Sequence, residues 1–128
     1  MLTGIHFLLT YVCTYECDHC FLCCSPNSKG TFTLEQIRRV YDEIALIPTI
    51  EWIYFEGGEP FLYYPLLLES LRLARSRNLK TGIVTNCYWA TAGEDTYIDA
   101  CHFCYLVRLS LIDRFPHFLA PRQVYGLE

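Results

Sequence analysis

The chain has 128 residues, 52% of them apolar and 16% aromatic, with a formal charge of −4. That length holds one domain with a buried core, and that composition excludes a disordered segment. No run reaches the roughly 18 uninterrupted apolar residues of a membrane span, and Lys and Arg are scattered except at Arg72, Arg75 and Arg77, so no membrane is expected and nucleic acid is unsupported as a partner.

Residues 5–12 form a continuous apolar run interrupted only by His6 and Thr10, the pattern of a strand buried on both faces. A basic leader is missing before it, so it is not a signal segment and the expected location is cytoplasmic. A cysteine-rich loop comes next. Thr33, with Gln36 three residues on, is a capping box that opens a helix, and Ile37, Val40, Tyr41, Ile44 and Ile47 recur at helical spacing until Pro48 stops it. Residues 51–56 (EWIYFE) are short, aromatic and β-branched, end at Gly57-Gly58, and read as a second strand. Pro65 then sits at a first helical position, with Tyr64, Leu67, Leu68, Leu71 and Ala74 forming an apolar stripe that ends near Asn78. Residues 81–85 are expected to form a third strand, about 94–104 a helix, and 105–112 a fourth strand. This alternation predicts βαβ units, a parallel sheet and right-handed crossovers. In such α/β folds reactive groups collect on loops at the carboxyl ends of the strands. The cysteine loop, residues 57–60 and Asn86 all fall there.

Eight cysteines are present. A disulfide scaffold needs a secretory context, so metal ligation for some thiols and packing for the rest is the better expectation. Cys13, Cys17 and Cys20 (CTYECDHC) have the spacing CxxxCxxC. Three thiolates on a four-iron cluster leave one iron without a protein ligand, an open position for chemistry. A three-cysteine zinc site with a distant fourth ligand is the rival. Were the segment helical, these thiols would form one packing stripe. A strand runs straight into Cys13, however, and Thr14, Tyr15, Asp18 and His19 give no helix start, so metal ranks ahead of packing. Gly57-Gly58-Glu59-Pro60 is by itself a good turn. Cys23, Cys24, Cys87, Cys101 and Cys104 can serve a second metal, but packing as small apolar groups is favoured. His6 and His102 read as ordinary hydrogen-bond partners.

Together, in this order and each behind an apolar strand, CxxxCxxC and GGEP resemble the first two signatures of the radical S-adenosylmethionine (radical SAM) superfamily. The resemblance spans residues 3 to about 113 and implies a partial parallel (β/α) barrel of about four β/α units. It implies that Cys13, Cys17 and Cys20 ligate three irons of a 4Fe-4S cluster while the fourth takes the amino and carboxylate groups of S-adenosylmethionine. An electron passed to the sulfonium then gives methionine and a 5′-deoxyadenosyl radical that abstracts hydrogen from an unnamed organic or peptide substrate. A donor such as ferredoxin or flavodoxin is implied. His19 stands where an aromatic residue is usual, just before the last cysteine. Gly57, Gly58, Glu59 and Pro60 match the loop for the SAM amino group, the glycines letting carbonyls approach an ammonium while Glu59 adds negative charge or anchors the turn. Thr85-Asn86 resembles the polar end of the third strand, with Cys87 where glycine is common, and Ser110 falls where a polar residue often meets the SAM ribose.

The pattern breaks near the end. Ser110 and Asp113 are separated by Leu111 and Ile112, residues 117–128 fit no expected helix, and strands five and six are absent. Residues 1–128 therefore read as a single, incomplete domain: a fragment, a shortened chain, or a part completed by another chain. An open sheet with unpaired edges predicts self-association or poor solubility. Two further readings stand beside the leading one: a non-catalytic zinc or iron-sulfur binding module with a structural Gly-Gly turn, and an inactive truncated remnant.

Overall fold

The computed structural model describes residues 1–88 and the strand Tyr105–Arg108. The helix expected over 94–104, together with Cys101, His102, Cys104, Ser110, Asp113 and residues 117–128, lies outside the described residues. In chain order the elements are β1 (Gly4–Thr10), α1 (Leu34–Ile44), β2 (Trp52–Gly57), a 3-10 turn (Pro60–Tyr63), α2 (Tyr64–Ser76), β3 (Lys80–Thr85) and β4 (Tyr105–Arg108).

The strands lie side by side in the order β1-β2-β3-β4. The first three are parallel, with Phe7 beside Phe55 and Phe55 beside Ile83. Each crossover advances one place in the same direction, and crossovers of one hand then put their helices on one face of the sheet. The core agrees: Phe7, Leu9, Ile53, Phe55 and Ile83 from the strands join Ile37, Tyr41, Ile44, Leu67 and Ala74 from the two helices. Fully burying one such aliphatic side chain stabilises by about 1.5–3 kcal/mol. Phe7 is the hub, stacked on Phe55 at 5.5 Å and edge-on to Phe32 at 5.8 Å.

The one-sided helix layer corrects the expectation for β1. Phe7 and Leu9 are buried on the helix side, but His6 on the other face is exposed and Leu8 half-buried, so among the described residues β1 is covered on one face only. That second face carries a ring ladder: Trp52 stacks on Tyr54 at 5.6 Å, and Tyr54 on His6 at 4.7 Å. His6 is an ordinary partner, its Nδ1 lying 2.8 Å from Glu56 Oε1.

The fourth strand also departs from expectation. β4 runs antiparallel to β3, with Gly82 beside Arg108 and Thr85 beside Tyr105. A free sheet edge accepts a strand of either polarity, and an antiparallel neighbour requires no crossover. The described fold is therefore a mixed α/β sheet whose first three strands are parallel.

Both helices follow local chemistry. Thr33 Oγ1 accepts from the Gln36 N–H at 3.2 Å while Gln36 Oε1 accepts from the Thr33 N–H at 2.8 Å, so both halves of the capping box form. Asn78 (φ 57°) closes α2: its N–H donates to Arg75 O, and the Leu79 N–H reaches back to Ala74 O. This left-handed close is one that asparagine tolerates. No helix among the described residues is long and apolar enough to cross a membrane.

Candidate metal centre

β1 ends in a bulge. Leu8 pairs with Glu56 and Thr10 with Gly57, leaving Leu9 as the extra residue, and a bulge of this kind bends the strand and re-aims the residues beyond it. Thr10 is fully buried. Its hydroxyl lies 2.9 Å from Thr31 Oγ1 and 3.2 Å from Gly30 O and accepts from the Val12 N–H. The Tyr11 N–H donates to Gly30 O, the Phe32 N–H to Leu9 O and the Cys13 N–H to Ser25 O. These bonds cinch the base of the loop. Between Val12 and Ser25 the chain makes a closed excursion that contains Cys13, Cys17, Cys20, Cys23 and Cys24.

Within it there is no helix, so the three motif cysteines do not form a packing stripe. Turn bonds run from the Cys20 N–H to Cys17 O and from the Cys23 N–H to Cys20 O, each 3.0 Å. Cys23 takes φ 51°, which folds the following backbone over Cys20 and brings the Cys24 N–H to 3.4 Å from Cys20 Sγ. Burial raises the Cys20 thiol's pKa, but the backbone N–H groups of Cys24, Leu22 and Cys23 outweigh it and hold that pKa below the ordinary value. Successive N–H groups around one anion make a nest of the kind that suits a thiolate ligand. Cys24 is the opposite case. Its burial, with the charges of Cys20, Cys13 and Cys23 nearby, pushes its thiol up to about 11. It packs, as expected of the extra cysteines, while Cys17 is exposed and Cys13 and Cys20 half-buried.

Among the described residues no three His, Cys, Asp or Glu side chains gather around one point to hold a metal ion. The donor chemistry fits a cluster: several thiols on one loop, one of them in an anion nest, and amide donors aimed at two of the sulfurs.

The Gly-Gly-Glu-Pro segment lies against the start of this loop. The Gly58 N–H donates to Thr10 O at 2.6 Å and the Glu59 N–H to Val12 O at 2.9 Å. A Cβ on Gly57 (φ 120°) would fall 2.4 Å from Thr10 O, and one on Gly58 only 2.0 Å from Val12 O. Both positions require glycine because two backbones pass in contact there. The carbonyls that crowd these glycines belong to Thr10 at the end of β1 and Val12 at the root of the cysteine loop.

Glu59 is 0% exposed. Its Oε1 accepts from the Phe61 N–H at 3.0 Å and from the Thr85 hydroxyl at 2.8 Å, and its Oε2 from the Asn86 N–H at 2.9 Å. The carboxylate thus anchors the turn, capping the 3-10 turn that Pro60 opens and tying β2 to β3. Burial raises its pKa above the ordinary carboxylate value, against the pull of those three donors.

Asn86 completes the junction. Its Oδ1 accepts from the Tyr88 N–H at 3.1 Å, which leaves Nδ2 to donate to Thr14 Oγ1 at 2.8 Å and to approach Cys13 Sγ at 3.6 Å. Cys87 takes φ 55°, the left-handed region where glycine is most at ease. The structure therefore brings together Cys13, Gly57, Gly58, Glu59 and Asn86, with Cys17 and Cys20 farther along the loop that Cys13 opens. His19 is exposed on the same loop, and Pro60 is buried beneath it all. Thr14 and Val12 were not legible as site residues, since what they contribute is one hydroxyl acceptor and one backbone carbonyl.

A family model described as a 4Fe-4S single cluster domain matches residues 4–110, a span that includes both motifs. The chain is also 35% identical over 77 residues to the "Putative peptide biosynthesis protein YydG" of Bacillus subtilis (strain 168). That match covers 60% of this chain and 24% of the relative, so the chain spans about a quarter of the relative's length.

Proposed function

The chain belongs to the 4Fe-4S single cluster domain family, and from that premise we propose that it is a radical SAM protein acting on a peptide. Cys13, Cys17 and Cys20 hold the cluster, and the loop of residues 57–60 receives the amino group of S-adenosylmethionine. When bound, cluster and S-adenosylmethionine supply reductive cleavage of a carbon-sulfur bond and a 5′-deoxyadenosyl radical for hydrogen abstraction. The observation that carries the reading is the contact between the motifs: the glycines lie against Thr10 and Val12, at the root of the cysteine loop. Two signatures distant in sequence thereby form one wall.

The chain's own groups each have a task. The N–H groups around Cys20 lower its pKa and so favour the thiolate form that a ligand needs. Glu59 spends its carboxylate inside the protein, so the cofactor-facing groups of the loop are backbone, as the amino group of a zwitterion requires when it meets carbonyls. His19 lies on the solvent side of the loop, where an adenine can reach it. A polar residue at 110 serves the ribose. On the sheet face opposite the two helices, the Trp52, Tyr54 and His6 ladder offers aromatic area to a peptide. The peptide class rests on the name of the Bacillus subtilis relative. The electron comes from a ferredoxin- or flavodoxin-type donor in a reducing cytoplasm, which also keeps the thiols free.

Anaerobic reconstitution with iron and sulfide tests the ligand set. The parent chain is expected to take up close to four irons per chain, and Cys17→Ala to lose the cluster. Full iron retained in Cys17→Ala contradicts the assignment.

A further inference from the structure

The junction at the strand ends holds a side chain whose donor has a destination that no binding role explains. Asn86 Nδ2 carries two hydrogens, and two acceptors lie before it: Thr14 Oγ1 at 2.8 Å and Cys13 Sγ at 3.6 Å. The amide is not free to turn over. Its Oδ1 already accepts from the Tyr88 N–H, so the nitrogen end must face the sulfur. The backbone is held too, because the Asn86 N–H donates to Glu59 Oε2, and that carboxylate is fully buried and braced by Thr85 and Phe61. A preorganised N–H donor therefore lies beside one thiol of the CxxxCxxC motif.

We propose that Asn86, fixed in place by Glu59, is a positioning residue for the cluster: it hydrogen-bonds the Cys13 thiolate, holds that corner of the loop against β3 and raises the cluster's reduction potential. The inference rests on Cys13 being a cluster ligand. Hydrogen bonds to the sulfurs are one of the terms that set iron-sulfur potentials, and partners of metal ligands commonly orient and tune them. The sign comes from charge. Reduction adds negative charge to the cluster and its thiolates, an N–H dipole aimed at sulfur stabilises the more negative form, and losing the donor makes reduction harder. Glu59 acts through Asn86 rather than by touching the cofactor.

The test is a dithionite titration of the reconstituted full chain, monitored by electron paramagnetic resonance, with iron counted in each sample. Asn86→Ala and Asn86→Asp are expected to keep the parent's iron content and to shift the midpoint to more negative potential, the aspartate further because it turns a donor into an acceptor. Asn86→Gln, which keeps a donor, is expected to shift less. A merely structural role would move the unfolding midpoint and leave the potential where it was. Cys13→Ala separates the two levels of the claim. If it keeps the parent's iron and spectrum, the ligand assignment fails and this proposal with it. If it loses iron while Asn86→Ala keeps the parent's potential, the ligand stands and the hydrogen-bond proposal is overturned. Should Asn86→Ala take up no iron, Asn86→Gln decides: recovery of iron supports the donor role, and no recovery overturns it.

Discussion

Replacing Gly58 by Ala is the sharpest mechanical test of the contact between the two motifs. The added methyl carbon would stand 2.0 Å from Val12 O and 2.5 Å from Val12 C, while an unstrained carbon-oxygen contact is about 3.3 Å or longer. The loops must therefore separate by more than about 1 Å. Two bonds cross this contact, Gly58 N–H to Thr10 O at 2.6 Å and Glu59 N–H to Val12 O at 2.9 Å, and neither survives such a movement. Their loss costs about 1–3 kcal/mol together, and the overpacking itself about 1–3 kcal/mol. The sum, about 2–6 kcal/mol, is a large part of the roughly 5–15 kcal/mol that stabilises an ordinary domain. Urea unfolding of the chain, with iron uptake measured in parallel, is the assay. Gly4→Ala is the control, since its new carbon meets Trp52 Cβ at an ordinary 3.4 Å, and it is expected to change stability by less than about 1 kcal/mol. A Gly58→Ala chain within about 0.5 kcal/mol of the parent that binds the same iron would refute the claim that the two loops are locked together.

Thr33→Ala removes the hydroxyl that accepts from the Gln36 N–H, leaving the bond from the backbone N–H of residue 33 to Gln36 Oε1, and is expected to cost about 1 kcal/mol in urea unfolding; no change would mean that the Thr33 hydroxyl does not hold the helix start. Glu59 gives a pH signature. Its folded pKa lies above the ordinary 4.5, so the folded state binds the extra proton, and the contribution of Glu59 to stability is fully present below about pH 4.5 and is lost as pH rises through the raised folded value. Glu59→Gln should flatten that slope in a stability-pH series, and an unchanged slope would assign it to another group. Cys23→Ser and Cys24→Ser should both retain the parent's iron, whereas loss of iron from either would add a ligand to the set. Among the described residues β1 forms one edge of the sheet, and Phe21 and Leu46 are 86% and 82% exposed. The chain is therefore expected to elute in size-exclusion chromatography larger than its 15.0 kDa, and a clean monomer contradicts this.

The parts legible in the sequence are those written in local chemistry. The Thr33 and Gln36 pair marked the start of α1, the stripe through Leu67, Leu71 and Ala74 marked α2, and Asn78 marked its close. Long-range arrangement was not legible. A strand's residues do not state the polarity of its neighbour, so the antiparallel pairing of β4 is absent from the pattern of residues 105–112. The run of residues 5–12 looked doubly buried because Ile5 and Leu8 are apolar whichever way they face; which face is covered depends on both helices crossing on the same side. Both motifs of the site were visible as motifs, but the reason for their residue types was not. Gly57 and Gly58 are required by the carbonyls of Thr10 and Val12 at the root of the cysteine loop, a clash between residues distant in sequence. Likewise, eight identical letters cannot show that Cys20 lies in an N–H nest and Cys24 in the core. That division is made only when Cys23 adopts its left-handed turn.

The central claim is that this loop holds a four-iron cluster with one iron left open to S-adenosylmethionine. The most direct measurement is the electron paramagnetic resonance spectrum of the anaerobically reconstituted, dithionite-reduced chain, recorded before and after adding S-adenosylmethionine. The expected result is a reduced four-iron signal whose shape and g values change when S-adenosylmethionine binds. A chain that carries stoichiometric zinc instead, or a four-iron signal that saturating S-adenosylmethionine leaves unaltered, would contradict it.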